Sequence, residues 1–84
     1  MTTEVKLVFF AKAREIVGKN HIIIEVNSTI SYKDLLKTVV DRFALGDIEK
    51  SIILCVNEEY CSASDTLHLS KGDEIAIIPP LSGG

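Results

Sequence analysis

Ser31-Tyr32-Lys33-Asp34-Leu35-Leu36-Lys37-Thr38-Val39-Val40-Asp41-Arg42-Phe43 is the stretch whose periodicity decides the fold. Tyr32, Leu35, Leu36, Val39, Val40 and Phe43 recur at i, i+3, i+4, i+7, i+8 and i+11, which is one face of an α-helix. Lys33, Lys37, Asp41 and Arg42 fall on the opposite face, toward water. Ser31 can cap the first turn, and Asp34 three residues later completes a variant capping box at the positive helix end. Gly46 is the expected stop. A single amphipathic helix of this length has one apolar stripe, and it must bury that stripe against something else.

On its N-terminal side, Val5 to Phe10 is rich in β-formers and reads as a strand. Ala11 to Val17 predicts a short helix or turn ended by Gly18, and His21 to Val26 a second strand. On the C-terminal side, Ser51 to Val56 reads as a third strand and Asn57-Glu58-Glu59 as a turn into Tyr60-Cys61. Leu67-His68-Leu69 follows a polar stretch, then the turn Ser70-Lys71-Gly72-Asp73 and a last strand, Glu74 to Ile78. Two strands, one long helix, then more strands predict an α+β domain, a mixed sheet with the helix packed on one face. By analogy this is the order of the ubiquitin-like β-grasp fold, in which the first and last strands lie side by side at the sheet centre. One domain, residues 1–78, is expected, followed by an extended arm, residues 79–84.

Both end strands are apolar on both faces. Alternation sets Leu7, Phe9, Ile75 and Ile77 on one side, and Val8, Phe10, Ala76 and Ile78 on the other. The helix can cover only one of these. Either Phe10 and Ile78 belong to an exposed apolar patch of the kind that marks a partner surface, or loops from residues 11–20 or 60–70 cover it.

The arm is Pro79-Pro80-Leu81-Ser82-Gly83-Gly84. Diproline fixes φ and favours an extended path away from the body. Gly83 and Gly84 carry no Cβ, so the backbone can approach another surface closely. The pattern places the chemistry on the terminal carboxyl group of Gly84 rather than on a side chain.

Composition narrows the function classes. The hydrophobic fraction is 46% and the charged fraction 25%, the balance of a globular domain. Residues 1–46 hold seven basic and five acidic side chains, and residues 47–84 two basic and seven acidic. The acidic C-terminal half argues against nucleic acid and suits a protein partner with a basic face around the arm. No apolar run is long enough for a membrane span, and no signal peptide is evident. Cys55 and Cys61 lack metal-ligand spacing and read as free thiols suited to a reducing cytosol; no metal site is expected. His21 and His68 lie on separate apolar segments, and no nucleophile–base set, P-loop or dinucleotide loop is present.

The segment from Gly72 through Pro79-Pro80 to Gly83-Gly84, together with Leu7-Val8-Phe9-Phe10-Ala11-Lys12-Ala13-Arg14-Glu15-Ile16-Val17-Gly18, resembles the molybdopterin synthase small subunits, a family of ubiquitin-like sulfur carriers. The resemblance spans essentially the whole chain, and the diproline is its most specific part. It implies a carrier that is not an enzyme on its own and binds no cofactor. An activating enzyme resembling the ubiquitin-activating enzymes, an adenylyltransferase and sulfurtransferase, would use ATP to adenylate Gly84. Sulfur would then replace the adenylate as a transient thiocarboxylate. The arm, Pro79 to Gly83, would enter the large synthase subunit, and sulfur would pass to cyclic pyranopterin monophosphate in molybdenum cofactor synthesis. The implied assembly is a cytosolic heterotetramer of two large and two small subunits. Phe10, Tyr60 and Ile78 match positions through which the family contacts the large subunit. Three other readings stay open: a carrier for thiazole synthesis or tRNA thiolation, a protein modifier joined through Gly84, and a β-grasp interaction domain with an inert tail.

Overall fold

The computed structural model describes residues 1–79. The decisive helix is there: α2 spans Tyr32–Phe43, with Ser31 as N-cap accepting from the Asp34 N–H at 3.1 Å. It does not run to Gly46. Ala44 takes the left-handed conformation at φ 58°, and both the Ala44 and Leu45 N–H groups return to the Val40 carbonyl. A non-glycine residue there costs about 1–2 kcal/mol. Leu45, fully buried one residue later, supplies the apolar contact that accompanies such helix ends. Gly46 instead opens a 3₁₀ segment, Gly46–Ser51, so the strand expected from Ser51 begins later.

The strands are β1 (Thr2–Phe9), β2 (His21–Asn27), β3 (Thr29–Ser31), β4 (Ile53–Val56), β5 (Glu59–Tyr60), β6 (Thr66–His68) and β7 (Glu74–Ile78). Between β1 and β2 lies the short helix α1, Ala11–Val17, ended by Gly18 at φ 80° with its N–H on the Arg14 carbonyl. Five strands form one mixed sheet in the order β2-β1-β7-β4-β5. The first and last strands pair in parallel beside one another, as the β-grasp order requires. β3 and β6 form a separate two-stranded sheet that the sequence reading did not separate from the helix cap and the polar loop.

Alternation fills the core from one face. Val5, Leu7 and Phe9 of β1, Ile24 and Val26 of β2, Leu54 of β4, and Ile75 and Ile77 of β7 are buried with Tyr32, Leu35, Val39 and Val40 of α2. Phe9 meets Phe43 edge-to-face at 5.2 Å. The Tyr32 hydroxyl accepts the Leu54 N–H at 3.1 Å, tying the helix start to β4. Asn57 and Glu58 both adopt positive φ, 50° and 70°, and turn the chain between β4 and β5. Such a primed turn matches the twist of a tight hairpin.

Candidate functional site

The site begins with β7. It lies in the middle of the five-stranded sheet, between parallel β1 and antiparallel β4. Neighbours on both sides fix its direction, so whatever follows Ile78 leaves from a rigid base. Pro79 is buried at that point. Pro80, Leu81, Ser82, Gly83 and Gly84, the rest of the expected arm and its reactive end, lie outside the described residues.

The outer face carries the second apolar set. Cross-strand partners share a face, and the register aligns Val8 with Ala76, Ala76 with Cys55, and Cys55 with Tyr60. One step toward the C-terminal end of β7, Ile78 pairs with Ile53. Phe10 continues β1 in extended conformation and donates its N–H to the Ile77 carbonyl at 3.2 Å. Phe10, Ile78 and Ile53 therefore form a row where the chain leaves the sheet. Tyr60 stands on the same face at the β5 edge.

Phe10 is 44% exposed, Ile53 41% and Tyr60 76%, and Ile78 is half-buried. Phe10, Ile53 and Tyr60 are exposed while Cys55 and Ala76 between them are buried, so among the described residues this face is open at its end and edge and closed at its middle. All three sequence-derived contact residues share this face. Ile53 was missed, although strand alternation from Cys55 already puts it on the same side; its place beside Ile78 needs the β4–β7 register.

The remaining chemistry is sparse. Cys55 and Cys61 are free thiols, Cys55 buried. Burial pushes the Cys55 thiol up, and nearby Cys61 adds to this. Burial also pushes Cys61 up; a backbone hydrogen bond at Val56 opposes the shift, while Asp65 and Glu59 reinforce it. Both thiols are poorly ionised at neutral pH and thus weak nucleophiles. Among the described residues no group of three or more His, Cys, Asp or Glu side chains could hold a metal ion, and no helix is long and apolar enough to cross a membrane.

With this geometry in place, comparison with known proteins gives a consistent result. The profile of the ThiS family matches residues 7–84. This chain belongs to the ThiS family. It is 46% identical over 81 residues to the molybdopterin synthase sulfur carrier subunit of Drosophila erecta, covering 95% of this chain and 90% of that one. Among solved structures, a complex of subunits 1 and 2 of molybdopterin-converting factor from Helicobacter pylori contains a similar chain. Its TM-score is 0.69 at 22% identity, with 98% of this chain and 100% of that one covered. The ubiquitin of Caldiarchaeum subterraneum aligns over the full length of both chains with a TM-score of 0.65 at 19% identity. At those identities the structures establish the ubiquitin-like β-grasp fold and nothing more specific.

Proposed function

We propose that this ThiS-family chain is the sulfur carrier subunit of a molybdopterin synthase. The observation that carries the reading is the 46% identity, over 95% of this chain, to a molybdopterin synthase sulfur carrier subunit, with the family match running through Gly84. Both thiols are weak nucleophiles, so the chemistry is assigned to the Gly84 carboxyl group rather than to a side chain. A carboxylate is a poor acyl donor, so the Gly84 carboxylate is first joined to AMP from ATP by an adenylating, sulfur-transferring partner, with release of pyrophosphate. A sulfur donor then displaces AMP and leaves a thiocarboxylate on Gly84. No cofactor stays bound to the carrier.

The large synthase subunit is the second partner. Its docking surface on this chain is the row Phe10, Ile78 and Ile53, with Tyr60 at the β5 edge, beside the point where the arm leaves β7. Support for such a pairing comes from the Helicobacter pylori complex, in which a similarly folded chain is assembled with a second subunit. Pro79 to Gly83 extends into the large subunit, and sulfur passes to cyclic pyranopterin monophosphate. Two loaded carriers are needed for each dithiolene, in keeping with a heterotetramer of two large and two small subunits in the cytosol. The slim Gly83-Gly84 end suits both enzymes in turn, since neither needs a pocket for a side chain.

Reconstitution tests this. The thiocarboxylated chain, mixed with the large subunit and cyclic pyranopterin monophosphate, should yield molybdopterin with stoichiometric loss of its sulfur. Sulfur delivery to a thiazole-forming or tRNA-thiolating system, with none to the pterin, would replace this reading with another carrier role.

A further inference from the structure

The free edge of β2 is unusually regular. It pairs with β1 over seven consecutive residues without a bulge, and His21-Ile22-Ile23-Ile24-Glu25-Val26-Asn27 contains neither proline nor lysine. Natural edge strands are commonly blunted by such devices. Ile23 stands 64% exposed on this one.

The pairing with β1 decides which backbone groups are free. The Phe9 N–H donates to the Asn20 carbonyl at 2.9 Å, and the Ser28 N–H to the Met1 carbonyl at 2.8 Å. These contacts, with the β1–β2 register, turn the backbone groups of Ile22, Ile24 and Val26 toward β1. Those of His21, Ile23, Glu25 and Asn27 point outward, away from the sheet.

We propose that this edge is a self-association site, on which a second copy of the chain adds antiparallel about a two-fold axis at Ile23. That register has the right hydrogen-bonding parity, because only the outward-facing residues pair. Ile23 meets Ile23 of the second copy. His21 meets Glu25 of the second copy, twice over by symmetry, and an imidazole N–H can donate to the carboxylate. Within its own sheet the cross-strand neighbour of Glu25 is another carboxylate, Glu4, so this register offers it a donor it otherwise lacks across the strands. Shifting the axis to Glu25 would oppose two carboxylates directly, which is destabilising. On the helix-bearing side, half-buried Ile22 falls opposite Ile24 of the second copy. The interface is isologous and closed, so it stops at a dimer. β1 separates this edge from β7, so the dimer leaves the row Phe10, Ile78 and Ile53 open.

Edge pairing alone buries less than a standard interface, so the dimer is weak, and its signature is concentration dependence. In sedimentation equilibrium of the full chain, from about 10 µM to about 1 mM, the weight-average mass should rise toward twice the monomer value. Amide exchange at His21, Ile23 and Glu25 should slow over the same range. Ile23→Glu faces Lys6 within its own sheet, so it should fold normally yet stay monomeric throughout. Glu25→Lys should weaken association several-fold, and the double variant His21→Glu with Glu25→Lys should restore it. A parent chain that stays monomeric, or an Ile23→Glu chain that associates like the parent, overturns the proposal. Failure of the double variant to recover overturns the register. Protection of the Ile23 amide only when the large subunit is added would assign the edge to a strand of that partner instead.

Discussion

The two faces of the five-stranded sheet are built from the same strands by the same alternation, yet they are buried to different degrees. The inner face is sealed by α2, and its central residues Leu7, Phe9, Leu54, Ile75 and Ile77 are at most 2% exposed. The outer face, with Phe10, Ile53, Tyr60 and Ile78, stays partly open among the described residues. Hydrophobicity alone does not tell a sealed face from an open one. The number of layers available to cover each face does, and this chain has one long helix for two apolar faces.

That contrast predicts opposite consequences for similar substitutions. Phe9→Ala removes a buried ring packed on Phe43 and should cost about 3–5 kcal/mol in denaturant unfolding. Any folded fraction should keep its affinity for the large subunit. Phe10→Ala and Ile78→Ala, neighbours of Phe9 and Ile77 on the other face, should cost the carrier clearly less stability than Phe9→Ala while lowering large-subunit affinity at least about tenfold, roughly 1.4 kcal/mol or more. Normal titration calorimetry for both would dissolve the distinction between the faces. Ile53→Asp should behave in the same way, and it tests a residue found only through the register.

Smaller effects sharpen the same comparison. Tyr32→Phe leaves the Leu54 N–H without its buried acceptor and should destabilise by about 1–3 kcal/mol without altering partner binding. Smallest of all is the expected effect on sulfur transfer of replacing both Cys55 and Cys61 by serine. Their thiols are held above the ordinary range by burial, so alkylation of the native chain near neutral pH should be slow. Loss of transfer in a folded double variant would move sulfur chemistry from Gly84 onto a side chain.

How much of this was legible beforehand follows from where the physics is local. The helix Tyr32–Phe43 and its Ser31 cap could be read directly because six apolar positions and a cap agree over more than three turns. The final strand, Glu74–Ile78, and the Ser70–Asp73 turn were legible for the same reason, with a left-handed Gly72 at φ 89° and the Asp73 carboxylate accepting the Ser70 N–H. Ala44 ending the helix was not, since only the burial of Leu45 makes a strained non-glycine residue worthwhile. Nor was the pairing of Thr29–Ser31 with Thr66–His68, three residues a side and far apart in sequence. At the site, alternation placed Phe10 and Ile78 on one face, whereas the openness of that face depended on loop paths that no local pattern encodes. The chemistry of Gly84 was read from residue types alone and lies outside the described residues.

The most direct test of the account is the intact mass of the chain after incubation with ATP, an activating enzyme of this class proved on a known carrier, and a sulfide source. The account predicts a gain equal to the exchange of one oxygen for sulfur, confined to the C-terminal peptide and absent when Gly84 is deleted. No gain, or a gain mapped to Cys55 or Cys61, would contradict it.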